Sequence, residues 1–212
     1  MTQHSTFNEA SLPVICDKLA ERDKDLQKII ETFGYPPFWQ RSPNFETLVY
    51  IILEQQVSLA SAKAAYLRLK EVLPNPTPHG FLLLDEATLK ACYFSRQKIV
   101  YTRDLASCIT TTDLNLERFE MMSDDEIRVA LTRVKGIGNW TVDVYLMMAL
   151  NRTNLFPIGD VALIRSLKET KRLKKDVSKE ELVRIALAWA PYQSIAAYLL
   201  WHAYLMRKKR GQ

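Results

Sequence analysis

The spacing of apolar residues is the feature that most constrains this fold. Apolar side chains recur mostly at helical intervals, turn residues divide the chain into helix-length segments, and few stretches alternate as strands do. The sequence therefore predicts an all-α protein. With 212 residues and 48% hydrophobic composition, the chain is long enough to bury one large core or two smaller ones.

Caps, glycines and prolines predict where the helices begin and end. The predicted helical segments are 19–33, 45–72 (two helices divided near 55–58), 85–91, 96–109, 124–134, 139–150, 161–167, 181–190 and 193–207. The proline-rich stretch 74–80 is predicted to be a linker, and 110–115 a loop.

Charge and cysteine content limit the classes of function. The net charge of +5 and the pI near 9.0 suit a polyanionic partner, although many basic proteins bind no nucleic acid. Cys16, Cys92 and Cys108 show no paired metal spacing, so we expect neither a zinc site nor an iron–sulfur cluster. With no secretion signal and no long apolar run, the sequence predicts a cytoplasmic protein without a membrane span.

A short glycine-rich turn separates two of the predicted helices. Gly136, Gly138 and Gly159 are three of only six glycines, and the first two flank Ile137 in LTRVKGIGNW. Ile137 can plug the core while the glycine N–H groups face outward, an arrangement that binds a phosphate without reading base sequence. An ordinary tight turn between helices is the alternative, and GxG alone favours it.

The wider sequence resembles a known family. VKGIGNWTVDVYLMMAL followed by LFPIGDVALI is similar to the helix-hairpin-helix and the Gly/Pro-rich loop with Asp of the HhH-GPD DNA glycosylase superfamily. Within it, the chain resembles the 3-methyladenine DNA glycosylase II family. The similarity continues through FETLVYIILEQQVSLASAKA and WAPYQSIAAYLLWHAY, and it covers roughly residues 35–205.

The resemblance implies a two-domain helix-hairpin-helix fold with the active site in the interdomain cleft. We expect an N-terminal part (1–44) that packs with the C-terminal part (151–212), and a central domain (45–150) containing the hairpin at about 131–145. The implied activity is that of a monofunctional DNA glycosylase, acting as a monomer on double-stranded DNA. An enzyme of this kind removes alkylated purines, such as 3-methyladenine and 7-methylguanine, in base excision repair.

Asp160 is the implied catalytic carboxylate. A carboxylate can stabilise the positive charge that develops on the sugar as the N-glycosidic bond breaks, and can orient the attacking water. Asp160 can also simply cap the helix that follows it, and both roles are compatible. Trp140 occupies the place where a lyase would carry an amine nucleophile, so we expect base removal without strand cleavage. For Lys135, a phosphate contact or solvation is the expected role.

Aromatic residues are the predicted substrate pocket, since an alkylated purine is cationic and attracts aromatic faces. The candidates are Trp140, Phe38, Trp39 and Tyr192, although Phe38 and Trp39 fit a core equally well. Tyr192 stands where some relatives carry tryptophan, and Gly159 where some carry a second acidic residue. Both departures bear on the substrate range.

Further expectations concern the DNA interface. Flipping a base leaves a gap, which Gln55 and Gln56 are placed to fill; alternatively, they only interrupt an apolar helix. The hairpin Lys135, Gly136, Ile137 and Gly138 is expected to bind phosphate. The resemblance also implies an alkali ion, Na⁺ or K⁺, on the backbone carbonyls of Thr132, Val134 and Ile137, and no required cofactor. The basic tail 207–210 and the basic cluster 168–175 are phosphate contacts or solvated faces.

Two alternatives stay open at this point. One is a glycosylase of the same fold for deaminated bases, such as uracil or hypoxanthine, or for other damaged bases. The other is a DNA-binding protein that keeps the hairpin without catalysis. Asp160, Trp140 and the QQVS segment are superfluous for that second role, so the sequence favours an enzyme.

Overall fold

The computed structural model describes residues 5–111 and 114–211, and within them the chain is all-α, as predicted. The α-helices are α1 (Ser11–Arg22), α2 (Lys24–Phe33), α3 (Phe45–Glu54), α4 (Leu59–Val72), α5 (Pro78–Leu83), α6 (Glu86–Ala91), α7 (Arg96–Thr110), α8 (Asp124–Thr132), α9 (Asn139–Met148), α10 (Val161–Thr170), α11 (Lys179–Leu187) and α12 (Gln193–Lys209). A 3₁₀ helix spans Leu116–Met121. Among these residues, β pairing is limited to an isolated bridge between Thr6 and Arg152.

Side-chain caps explain where most helices begin. A side chain just before the first turn accepts backbone N–H groups that have no partner within the helix. The capping residues are Asp23, Asn44, Ser58, Thr77, Asp85, Ser95, Ser123, Asp160 and Ser178. Ser123 and Glu126 form a capping box, since Glu126 N–H donates to Ser123 Oγ at 3.2 Å and Ser123 N–H donates to Glu126 Oε2 at 2.7 Å.

Most predicted helix ends shift by one to three residues, and three predicted segments need a larger correction. The predicted helix 19–33 is divided at Asp23, whose backbone is extended and whose carboxylate caps α2 by accepting the N–H groups of Asp25 and Leu26. The predicted linker 74–80 contains the start of α5, because Thr77 caps that helix and Pro78 is tolerated in a first turn, where no intrahelical N–H bond is needed. Of the predicted loop 110–115, Thr110 belongs to α7, and residues 112 and 113 lie outside the described part.

The chain forms two compact units. The first comprises residues 1–40 and 146–212, and the second comprises 41–145. The second range therefore begins four residues before the expected 45 and ends five before the expected 150. Its early start has a physical basis: Arg41 donates to both carboxylate oxygens of Glu54 in α3, at 2.9 and 2.7 Å.

Each unit has a central helix. In the first, α12 packs against α1, α2 and α10, and its stretch 195–200 is fully buried. In the second, α3 packs against α4 and α7, and Leu48, Ile51 and Ile52 have no exposed surface. Burying side chains around a whole helix is typical of a core helix. No helix within residues 5–111 and 114–211 has both the length and the apolarity to cross a membrane.

A polar cluster joins α2 to the end of α10 in the first unit. Lys171 Nζ donates to both oxygens of Asp23, at 2.6 and 2.7 Å, and Trp189 Nε1 donates to Asp23 Oδ2 at 2.7 Å. Burial alone raises the pKa of this carboxyl, but the hydrogen bonds from Lys171 and Trp189 outweigh burial and leave the pKa below its ordinary value. The ionised carboxylate thus stabilises the fold.

We predict that Asp23→Asn lowers the free energy of unfolding by about 1–3 kcal/mol at pH 7, since the cap persists while the partly buried ion pair is lost. The contribution of Asp23 is present above its unfolded pKa, about 3.9, and is lost as pH falls through the lower folded value. Urea unfolding should therefore show a difference from wild type that shrinks between pH 5 and pH 3. Glu21→Gln, on the exposed surface of α1, is the control, and an equal loss in both variants would contradict this role.

Candidate active site

The loop before α10 places Asp160 at the helix start. Asp160 N–H donates to the Pro157 carbonyl at 2.8 Å, and the Asp160 carbonyl accepts the N–H of Ile164 at 2.9 Å. Its carboxylate oxygen Oδ1 accepts the N–H of Leu163 at 2.7 Å. The carboxylate is therefore an N-cap with a fixed orientation, and it is half-buried. The carboxylate thus lies at the N-terminus of α10, the positive end of the helix dipole.

A second donor to Asp160 comes from far along the chain. Trp201, in α12, donates its indole N–H to Asp160 Oδ1 at 3.1 Å. Trp201 is not among the predicted site residues, because a tryptophan on a long apolar helix is usually a core residue. The available signal was its indole N–H, which needs a polar partner once it leaves water. The helix N-terminus and Trp201 thus hold the same carboxylate oxygen.

Trp201 also belongs to an aromatic cluster, which we define as Phe7, Phe38, Trp39, Tyr198 and Trp201. The ring of Tyr198 lies 6.2 Å from Trp201, 5.1 Å from Trp39 and 5.4 Å from Phe7, between centroids. Phe38 contacts Phe7 edge-on at 5.7 Å, and the Tyr198 hydroxyl donates to the Trp39 carbonyl at 3.2 Å. Phe7 and Tyr198 are buried, whereas the other three are half-buried.

The structure therefore brings two of the predicted pocket residues, Phe38 and Trp39, into the cluster that contacts Asp160 through Trp201. Tyr192 lies just before α12 and is half-buried. Trp140 is the second residue of α9, in the other unit, and is half-buried. For Tyr192 and Trp140, a place in the substrate pocket stays a prediction.

The predicted hairpin lies between α8 and α9. Gly136 has φ +82°, and a Cβ atom there would stand 2.1 Å from Cγ of Tyr101, so only glycine fits beneath that ring. Ile137 is 5% exposed, as the predicted core plug requires. A Cβ atom at Gly138 would meet no protein atom within 4 Å, so the turn is open to an incoming group at that point.

Polar contacts fix the two sides of the hairpin. Arg128 in α8 donates to Asn139 Oδ1 at 3.1 Å and to Asp143 Oδ1 at 2.6 Å, both in α9. Burial raises the pKa of the Asp143 carboxyl, and the Arg128 guanidinium opposes that rise. Lys135 is exposed at its side chain, while its backbone N–H donates to Asp104 Oδ2 at 2.7 Å. The turn is thus held rigidly, with its lysine in solvent.

The two glutamines of the QQVS segment have different surroundings. Gln55 Nε2 donates to the Gly136 carbonyl and to Thr141 Oγ1, each at 3.0 Å. Gln56 is exposed and has φ +58°, in the left-handed region that non-glycine residues seldom adopt. Gln55 is therefore committed to the hairpin, and only Gln56 presents its side chain outward.

The basic residues of segments 168–175 and 207–210 differ in their surroundings, since some are paired and others are exposed. Lys171 is held by Asp23 and Asp25, which removes it from the predicted phosphate contacts. Arg207 donates to Thr170 Oγ1 at 3.1 Å and so binds α12 to α10. Lys208, Lys209 and Arg210 are exposed. Within the part of the chain that is described, no group of three His, Cys, Asp or Glu residues could hold a metal ion.

Comparison with known proteins identifies the family of this chain. Residues 49–191 match the HhH-GPD family, described as a superfamily of base excision DNA repair proteins. DNA-3-methyladenine glycosylase 1 of Schizosaccharomyces pombe is 29% identical over 187 residues, covering 86% of this chain and 82% of the relative.

Two solved structures extend the comparison. The Schizosaccharomyces pombe 3-methyladenine DNA glycosylase (Mag1) in complex with abasic DNA gives a TM-score of 0.81 at 29% identity, covering 88% of this chain and 94% of that one. The DNA-3-methyladenine glycosidase of Bacillus halodurans gives 0.73 at 26% identity, covering 98% and 95%. Since the family match spans more than half of the sequence, this protein belongs to the HhH-GPD superfamily of base excision DNA repair proteins.

Proposed function

We propose that this chain is a DNA glycosylase that hydrolyses the N-glycosidic bond of alkylated purines, such as 3-methyladenine and 7-methylguanine, in base excision repair. The observation that carries the proposal is the Asp160 carboxylate, fixed at the start of α10 and hydrogen-bonded to Trp201 of the aromatic cluster. Family membership supports the same reaction, and so do the names of the relatives described above, which are 3-methyladenine glycosylases.

The carboxylate suits the charge that develops in this reaction. An alkylated purine is already cationic, so the bond between its nitrogen and C1′ breaks with the electron pair leaving on the base, and little acid assistance is needed. The sugar becomes an oxocarbenium-like cation, which Asp160 stabilises electrostatically, and water adds to C1′ with loss of a proton. The products are the free base and an abasic sugar in an uncut strand.

The aromatic cluster suits the leaving base. Phe38, Trp39 and Trp201 are half-buried rings that can face a planar cation, and cation–π attraction contributes roughly 0.5–2 kcal/mol depending on desolvation. Tyr192, which belongs to the same unit, is a further proposed pocket residue. A preference for cationic over neutral bases is the expected consequence.

Double-stranded DNA is the proposed partner, bound by one copy of the chain within the cell. The exposed Lys135 side chain and the open turn at Gly138, next to the start of α9, form a cationic nest for one phosphate. Gln56 is the proposed residue that fills the gap left by the flipped base. Trp140, in place of an amine, supports hydrolysis without lyase activity.

An alkali ion at the hairpin is part of the proposal. The donors at this turn are oxygens, which hard cations prefer, and α8 ends at Thr132 with carbonyls that lack intrahelical partners. The Val134 carbonyl accepts the Ile137 N–H at 3.1 Å and keeps a second lone pair for a cation. Thr132, Val134 and Ile137 would hold Na⁺ or K⁺, which would supply positive charge to a bound phosphate.

We predict that Asp160→Asn strongly slows base release while keeping the fold. The fold is kept because the Asn side-chain oxygen can still accept from Leu163 N–H and the Trp201 indole N–H. Removing the charge that stabilises the transition state should lower the single-turnover rate by about 100-fold or more. The assay is release of free base from methylated duplex DNA, with binding to an abasic-site analogue measured in parallel. Retained binding with lost release supports the assignment, and release at the wild-type rate contradicts it.

The same assay separates the alternatives. Wild-type release from deaminated but not methylated DNA would move the substrate to uracil or hypoxanthine. Binding without release from any damaged DNA would make the chain a DNA-binding protein. Borohydride trapping of a covalent adduct, or strand cleavage, would contradict the proposed hydrolysis by water.

We predict that Trp201→Phe slows base release by about 10-fold, the effect expected when a hydrogen bond to a charged group is lost, while affinity for undamaged DNA stays unchanged. Phenylalanine keeps an aromatic ring but cannot donate to Asp160. Trp189→Phe is a matched control, because the Trp189 indole N–H donates to Asp23 instead. An equal slowing in both variants would show that the effect comes from general destabilisation.

We predict that the two hairpin glycines respond differently to alanine. Gly136→Ala places a Cβ atom 2.1 Å from the Tyr101 ring at positive φ. The free energy of unfolding should therefore fall by roughly 2–4 kcal/mol, and the melting temperature should fall with it. Gly138→Ala meets no protein atom within 4 Å, so stability should change by less than about 1 kcal/mol while DNA affinity falls. Unchanged DNA affinity in Gly138→Ala would contradict the proposed phosphate nest.

A further inference from the structure

The end of α3 is held by three consecutive residues, each with a partner distant in sequence. Lys98 Nζ donates to the Leu53 carbonyl at 2.5 Å, and Arg41 pairs with Glu54 at 2.7 Å. Gln55 then donates to the hairpin, at the Gly136 carbonyl and Thr141 Oγ1. Burial lowers the pKa of Lys98, and the contact with the carbonyl leaves its ammonium well placed at the negative end of α3.

One face of α7 supports both the end of α3 and the hairpin. Lys98, Tyr101 and Asp104 are spaced three residues apart and therefore lie near one another on the helix. Lys98 holds Leu53, the Tyr101 ring covers Gly136, and Asp104 accepts the N–H of Lys135. The end of α3 and the hairpin are thus both held by contacts with α7.

The residues that follow Gln55 are exposed. Gln56 is exposed at positive φ, Val57 is 45% exposed and Leu59 is 59% exposed. Ser58 caps α4 through the N–H of Ser61. Exposed apolar side chains beside a strained residue, on a loop whose preceding residues are fixed, form a short rigid projection next to the hairpin.

We propose that Gln55 is a positioning residue that couples the phosphate-binding hairpin to the loop carrying Gln56. This inference rests on the proposed function, in which the hairpin binds phosphate and Gln56 fills the gap in the duplex. Each of the two acceptors of Gln55 belongs to the hairpin or to the first turns of α9. When the hairpin binds a phosphate, Gln55 therefore sets the distance from that phosphate to Gln56.

The coupling has a thermodynamic consequence. Extruding a paired base costs a few kcal/mol, and a side chain that fills the gap offsets that cost only if it is already in place. If the loop is not held by the hairpin, it must become ordered on binding. The entropic cost of that ordering offsets the free energy gained by filling the gap. Loss of Gln55 should weaken discrimination of a gapped duplex from an intact one, and should leave the hairpin's grip on undamaged DNA unchanged.

The test compares wild type with Gln55→Met, which keeps the length of the side chain but removes its donor. The readout is the ratio of Kd for undamaged duplex to Kd for a duplex with an abasic-site analogue. We expect the ratio to fall about 10-fold, the effect of losing two hydrogen bonds that hold the loop, while Kd for undamaged DNA changes less than about 3-fold. Thr141→Ser keeps the hydroxyl acceptor and should keep the wild-type ratio.

A double-variant cycle tests whether Gln55 acts through Gln56. Gln56→Ala alone should lower the ratio, and adding Gln55→Met should lower it no further. Additive effects, or an unchanged ratio in Gln55→Met, would overturn the proposal. Equal weakening on both duplexes with a lowered melting temperature would also overturn it, because that pattern indicates structural damage.

Measuring base release separates the proposed glycosylase activity from the proposed role of Gln55. Gln55→Met should slow release from a fully paired lesion more than from a lesion opposite a mismatch, where flipping costs less. If the wild type releases no base but the Kd ratio falls as expected, the proposed activity fails and the role of Gln55 stands. If the wild type releases base and both measurements in Gln55→Met equal those of wild type, the role of Gln55 fails and the activity stands.

Discussion

Two hydrogen bonds to Oδ1 of Asp160 connect the start of α10 to the aromatic cluster of the first unit. An N-cap position would by itself make the carboxylate a structural group, but the second donor, Trp201, joins it to rings that can face a planar base. Helix formation and the proposed chemistry therefore use the same side chain: the carboxylate that caps α10 is also the group proposed to stabilise the sugar cation. A change that loosens α10 or α12 would disturb both.

The second unit concentrates its support on the parts proposed to contact DNA. A single face of α7 holds the end of α3 and the hairpin, and Gln55 joins those two directly. Such rigidity suits a surface that must present a phosphate nest and a gap-filling residue at a fixed separation, because ordering them during binding would reduce affinity. The strained backbone at Gln56 fits this view, since strain persists where surrounding contacts impose it.

Features set by neighbouring residues could be predicted from the sequence, whereas hydrogen bonds between distant residues could not. The buried Ile137 and the position of Asp160 as a helix cap follow from a few neighbouring residues, and the structure confirms both. The division at Asp23 was missed because the apolar stripe continues across it, and only the extended backbone there reveals the break. The partner of Trp201 lies 41 residues away and that of Gln55 lies 81 residues away, so no local pattern could show them.

The most direct test of the central claim is a single-turnover reaction on duplex DNA containing one 7-methylguanine, with products identified by mass spectrometry. The account predicts free 7-methylguanine and an uncut strand carrying an abasic site, with faster release than from the same duplex containing neutral hypoxanthine. If no base is released, or if the strand is cleaved at the lesion, the account of Asp160 as the carboxylate of a hydrolytic glycosylase for alkylated purines is contradicted.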